Sequence, residues 1–96
     1  MFYSMKIFEL YTEVVGVVCN ITEINEIDIL HSNKEECADA RFLLVKALSY
    51  KLTDNEIASL INRTRQGVNS IKNTTQKLSK WSVASNWKVI SKELNL

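Results

Sequence analysis

The sequence predicts an all-α protein: a single compact helical domain of five to six helices that contains a helix-turn-helix. Three observations carry that prediction. The 96 residues hold no proline and two glycines, too few turn-makers for several β-hairpins. Apolar residues make up 46% of the chain and charged residues 24%, the ordinary composition of a globular protein with a core. Apolar side chains also recur at three- and four-residue spacing, the period of a helix with one buried face. Length sets one domain, residues 1–96.

The elements follow in chain order. Residues 4–19 set Ile7, Leu10, Tyr11, Val14, Val15, Val17 and Val18 at helical spacing. The valine run is β-prone, so a strand is the alternative there. Residues 20–32 read as a loop holding a short helix, with Thr22 as a cap and Ile24, Ile27 and Leu30 on one face. Ser32 or Asn33 then caps a long helix that begins in NKEECADAR and runs to about Tyr50. Glu35, Glu36 and Asp39 occupy its first turns, where the helix dipole favours acids, and Phe42, Leu43, Val45, Ala47 and Leu48 continue it.

The stretch LTDNEIASLINRTRQGVNSIKN, residues 52–73, encodes two short helices with few residues between them. Thr53 followed by Glu56 three residues later is a capping box. Ile57, Ala58, Leu60 and Ile61 supply the apolar face, and Asn62 tolerates a left-handed turn. Thr64 caps a second helix predicted over 64–78, with Val68, Ile71, Thr75 and Leu78 inward. A last helix over 82–94 carries Trp87, Ile90 and Leu94.

Two helices joined by three or four residues make a helix-turn-helix, here residues 53–78. With Val68 and Ile71 buried, the outward face of the second helix is Thr64, Arg65, Gln66, Asn69, Ser70 and Asn73. Arginine can hold a guanine edge, and asparagine or glutamine an adenine edge, through paired hydrogen bonds in the major groove of duplex DNA. A merely solvated face is more often built of Glu and Lys, and neither occurs at these six positions. Lys51, Arg63, Lys72 and Lys77 are the candidate phosphate contacts, with Lys46 and Lys80 as further cations. Gly67, a poor helix former, would permit close approach of a backbone or a phosphate.

Charge is unevenly spread. Residues 1–40 hold eight acids against two lysines, a net of −6; residues 41–96 hold ten Lys/Arg against three acids, a net of +7. A basic half points to a local anionic partner; the competing expectation is that the two halves pair with each other. Cys19, Cys37 and the single His31 have no metal-ligand spacing and are expected to be ordinary side chains, with no metal and no cofactor. One histidine, no nucleophile motif and no G-x-x-x-x-G-K-[ST] loop argue against an enzyme. The apolar run at residues 14–19 is too short for a membrane span or a signal core, so a cytoplasmic protein with reduced thiols is expected.

Over nearly its whole length the chain resembles the C-terminal DNA-binding domain of the bacterial replication initiator DnaA. The matching order is an amphipathic helix (LYTEVVGVVCNIT), a short DILHS element, a long helix with ADARFLLVKAL, a helix-turn-helix and a closing helix. Ala40 and Arg41 match the family's "AR" in the long helix, and Glu56 and Ile57 match the pair that starts the motif. The family's GRDHTTV corresponds most nearly to NRTRQGV, where Arg63 and Val68 match. Thr64, Arg65 and Gln66 stand where the family has Asp-His-Thr, and the family's basic loop is SNKEE here, so the resemblance implies the fold and not the target sequence. "TRQGVNSIKN" also resembles helix-turn-helix units of small regulators.

These readings converge on a sequence-specific binder of double-stranded DNA, a small transcriptional regulator or replication-linked accessory of a bacterium or its mobile elements. The helix at 64–78 would enter the major groove, and the small footprint calls for a homodimer or a protein partner. The alternative is a protein-interaction module of the same fold that has lost DNA binding, as the acidic first half and the SNKEE loop would suit.

Overall fold

The computed structural model describes residues 5–96. Among them, six α-helices and one 3-10 turn form the fold, with no strand: α1 (Met5–Thr22), α2 (Glu26–His31), α3 (Glu35–Leu48), α4 (Asp54–Ile61), α5 (Arg65–Lys72), the 3-10 turn (Thr75–Ser79) and α6 (Trp81–Glu93). Residue 4, where the first predicted helix begins, lies outside the described residues.

α3 is the central element, because its second half is buried nearly all round. Phe42, Leu43, Leu44, Val45 and the Ala47–Leu48 pair are almost wholly excluded from solvent. α1, α2, α5 and α6 all pack on it. α1 contributes Tyr11, Val14, Val15 and Val18, one stripe at three- and four-residue spacing, so the valines serve a helix and not a strand. Gly16 lies on the opposite, exposed face of α1, and a β-carbon there would meet nothing within 4 Å. Gly16→Ala is therefore expected to stabilise the fold by about 0.5–1 kcal/mol, read as a higher midpoint in urea unfolding. An unchanged midpoint would mean that this turn of α1 adds little to the cooperative fold.

The segment between α1 and α3 differs from its sequence reading. α1 continues to Thr22, whose hydroxyl donates to the Val18 carbonyl at 2.7 Å and caps nothing. Asn25 is the cap of α2: its Oδ1 accepts from Asp28 N–H at 2.9 Å. That later start changes which side chain points inward. Ile29 is fully buried and Ile27 is 72% exposed, since two residues apart on a helix face opposite ways. Tyr11 ties α1 to α2 by donating its hydroxyl to Glu26 Oε2 at 2.6 Å; burial, and then that carboxylate, push the phenol's pKa up. Neither Ser32 nor Asn33 caps α3. Lys34 holds the cap position without a side-chain bond, and the Ser32 hydroxyl accepts from Lys34 N–H. At the far end α3 stops at Leu48, short of Tyr50, which leaves the helix and stacks on Trp87 at 6.0 Å.

Arg41 fastens this region. Its Nε donates to the Ile29 carbonyl and its Nη2 to the Ser32 carbonyl, each at 2.7 Å. Arg63 adds a third bond at the same helix end, from its Nη2 to the Leu30 carbonyl at 2.7 Å. Two cations thus sit at the carbonyl terminus of α2, the negative end of its dipole.

α6 starts at Trp81, one residue before the predicted start, and ends at Glu93. Val83 and Ile90 are its buried residues, with Trp87 and Leu94 half-buried beside them. Trp81 itself is 84% exposed.

The charge asymmetry is partly consumed inside the fold. Lys77 Nζ donates to Asp39 Oδ1 at 2.8 Å, and Lys80 pairs with both Asp39 and Glu35. Burial alone would raise the Asp39 carboxyl; hydrogen bonds from Lys77 and Lys80 outweigh it and hold the pKa below its ordinary value. A carboxylate lowered in this way adds stability above its unfolded pKa, about 3.9, and loses it as pH falls through the lower folded value. Asp39→Asn is therefore expected to be less stable than the parent chain at pH 7, with the deficit shrinking below about pH 4. Urea unfolding at both pH values checks this; a deficit that does not change with pH would remove Asp39 from the acid response.

Candidate nucleic-acid interface

α4 is started by a complete capping box. The Thr53 hydroxyl accepts from Glu56 N–H at 3.2 Å, and Glu56 Oε1 accepts from Thr53 N–H at 2.9 Å. It is ended by Asn62, which adopts φ 56°, ψ 50°, the left-handed conformation that asparagine tolerates better than most residues. Arg63 N–H then closes the turn on the Ala58 carbonyl at 2.9 Å. Ala58 is buried, and its small side chain suits the close packing of α4 on α5.

α5 begins immediately after a three-residue turn, residues 62–64. The Thr64 hydroxyl caps it by accepting from Gly67 N–H at 2.9 Å. Gly67 is explained by that cap: a β-carbon here would stand 3.2 Å from the Thr64 hydroxyl oxygen. The close approach is to the cap within the chain. Val68 is fully buried and α5 packs on both α3 and α4.

The predicted helix over 64–78 is shorter in the fold. α5 ends at Lys72, because Asn73, Thr74 and Thr75 are consecutive weak helix formers. The Thr74 hydroxyl bonds back to the Ile71 carbonyl at 2.6 Å, and the chain resumes as the 3-10 turn. Thr75 is exposed instead of inward, while Leu78 does pack against the core.

All six candidate base-reading residues are brought together and exposed: Thr64, Arg65, Gln66, Asn69, Ser70 and Asn73. Arg65, Gln66 and Asn69 line an open concavity of about 440 Å³. A second one, about 480 Å³, adjoins it where Arg65 and Lys72 face residues 52–55.

The four candidate phosphate contacts are placed less uniformly. Lys51 and Arg63 are exposed, although one Arg63 nitrogen is engaged with Leu30. Lys72 is half-buried and pairs with Asp54 at 2.8 Å. Lys77 lies against Asp39, on the α3 side of the molecule. Of the two further cations, Lys80 is held by Glu35 and Asp39, and the Lys46 ammonium sits 4.8 Å from the centre of the Trp87 ring.

One residue of the site was not foreseen. Asp54, the first residue of α4, accepts from Lys72 and, at 3.4 Å, from Asn69 Nδ2. The Lys72 hydrogen bond, aided by the Asn69 contact and the nearby Arg65 charge, outweighs partial desolvation and holds its pKa below the ordinary carboxylate value. Only the crossing of α4 over α5 brings it there; in sequence it is the unremarked second residue of a capping box.

Among the described residues no group of three or more His, Cys, Asp or Glu side chains could hold a metal ion, and no helix is long and apolar enough to cross a membrane. Cys19 and Cys37 are free thiols, the first half-buried and the second buried.

The architecture defines an all-α domain with a helix-turn-helix formed by α4 and α5. No protein-family model, curated protein or solved structure matches the chain.

Proposed function

We propose that this chain is a sequence-specific DNA-binding protein that inserts α5 into the major groove of duplex DNA. The carrying observation is the exposed face of α5: six side chains rich in paired donors and acceptors, with no Glu or Lys among them, over a fully buried Val68. Arg65 would take a guanine edge, and Gln66 or Asn69 an adenine edge. Lys51 and Arg63 would hold phosphates, and Lys72 would do so by exchanging Asp54 for the backbone. A small transcriptional regulator or a replication-linked accessory, acting with a second copy or a protein partner, is the role we infer; the resemblance to the DnaA C-terminal domain belongs to the same proposal.

Fluorescence anisotropy with a labelled pool of random duplex DNA tests this reading. The logarithm of the affinity is expected to fall linearly with the logarithm of salt concentration, with a slope of about −0.9 for each phosphate contact. Absence of binding at low salt would overturn it and favour the second reading, a protein-docking module. That reading is supported by the ion pairs that occupy Lys72, Lys77 and Lys80.

A further inference from the structure

We propose that Asp54, on α4, is a positioning residue that sets which base Asn69 of α5 accepts. This inference rests on α5 being the helix that enters the groove. The geometry is a short chain of side chains crossing from one helix to the other. Asn69 Nδ2 donates to Asp54 Oδ2 at 3.4 Å, and Asn69 Oδ1 accepts from Asn73 Nδ2 at 3.0 Å. Lys72 Nζ, three residues after Asn69 on α5, donates to the other Asp54 oxygen at 2.8 Å. Lys72 and Asn69 thus bond different oxygens of one carboxylate, so the Asn69 contact does not pass through the ammonium.

An asparagine carboxamide is nearly symmetric in shape and opposite in hydrogen bonding at its two ends. Free in solvent, it can turn either end to a base, and each orientation suits a different edge. An ionised carboxylate can only accept, so Asp54 admits the Nδ2 end and excludes the oxygen. In that orientation Asn73 Nδ2 donates to Oδ1 from the other side. Asn69 then keeps one Nδ2 hydrogen and one Oδ1 lone pair for a ligand. That pair matches N7 and N6 of adenine, the edge asparagine takes with two bonds. A rotamer held in advance loses less freedom on binding, which sharpens preference for the matching base over the rest.

The test uses the full chain and duplexes enriched from a random pool. Affinity is compared for each of the four bases at each site position, for the parent protein and for Asn69→Ala, Asp54→Ala, Asp54→Asn and Lys72→Ala. Thermal melting confirms that each variant folds. Asn69→Ala is expected to flatten an adenine preference of at least about fivefold at one position. Asp54→Ala should flatten the same position, and the double variant should flatten it no further. Asp54→Asn sets a donor where only acceptors stood, so it no longer excludes the Asn69 oxygen and should flatten the preference as Asp54→Ala does. Lys72→Ala should weaken binding to all sequences and lessen the salt dependence, with the base profile kept. An Asp54→Ala profile identical to the parent's would overturn the positioning role and leave groove reading by α5 intact. So would Lys72→Ala flattening that position as fully as Asp54→Ala. A parent protein that binds no duplex at low salt would defeat both.

Discussion

Alanine in place of Arg65 is expected to lower affinity for a selected duplex by roughly 5- to 150-fold, the worth of one bidentate guanine contact. Arg65 is the first residue of α5, exposed, and a lining residue of both concavities on this face. No buried packing depends on its side chain, so the melting temperature should change little. The loss should also be specific: affinity for unrelated duplex should fall only as far as one lost positive charge requires. Titration of selected and scrambled duplexes with both proteins separates the two effects. Equal affinity of the variant for the selected duplex would remove α5 as the reading helix, since no other residue on this face offers a guanidinium.

Alanine in place of Arg41 is expected to destabilise the fold by about 3 kcal/mol. Each of its two hydrogen bonds comes from a charged donor, in the range of about 1.5–3 kcal/mol, and water reaching the freed carbonyls offsets part of the sum. Burial, and then the neighbouring Arg63 charge, push the Arg41 pKa down, yet arginine stays protonated in proteins and the bonds persist. For a chain of this length the change corresponds to a fall in melting temperature of roughly 12–24 °C. Lysine should restore less than half of it, because a single ammonium cannot span two carbonyls in the way the planar fork does. Thermal unfolding followed by circular dichroism measures both variants. A fall below about 5 °C for the alanine variant would mean that α2 is held to α3 by Ile29 packing rather than by the guanidinium.

Arg41 also shows how far a pattern in the sequence can be taken. It stood out as the second half of an "AR" pair in the long helix, but nothing local announced what it bonds. Its partners are 12 and 9 residues away, on the far side of a loop. The phase of α2 was lost for a related reason. Both Thr22 and Asn25 are acceptable caps; the helix that starts after Asn25 buries Ile29 and leaves Ile27 exposed, while Ile24 and Leu30 of the predicted face do pack against the core. The break after Lys72 carried a signal, the Asn73-Thr74-Thr75 run, that the apolar spacing of Leu78 outweighed.

The elements legible in the sequence are those governed by interactions within about four residues. The all-helical class, the Thr53–Glu56 box, the left-handed Asn62, the Thr64 cap and the buried Val68 each depend on backbone bonds and periodicity that a local window contains. The outward face of α5 follows from them, because burial of Val68 sets the helix rotation. The electrostatics of that face belong to the tertiary structure. Lys77 and Asp39 are 38 residues apart, and Lys72 and Asp54 are 18 apart, yet both pairs meet at 2.8 Å. Which cations remain available to a partner, and which acid stands beside Asn69, was decided when α3, α4 and α5 packed together. Coulomb attraction and hydrogen bonding act over ångströms of space, and distance along the chain does not measure that.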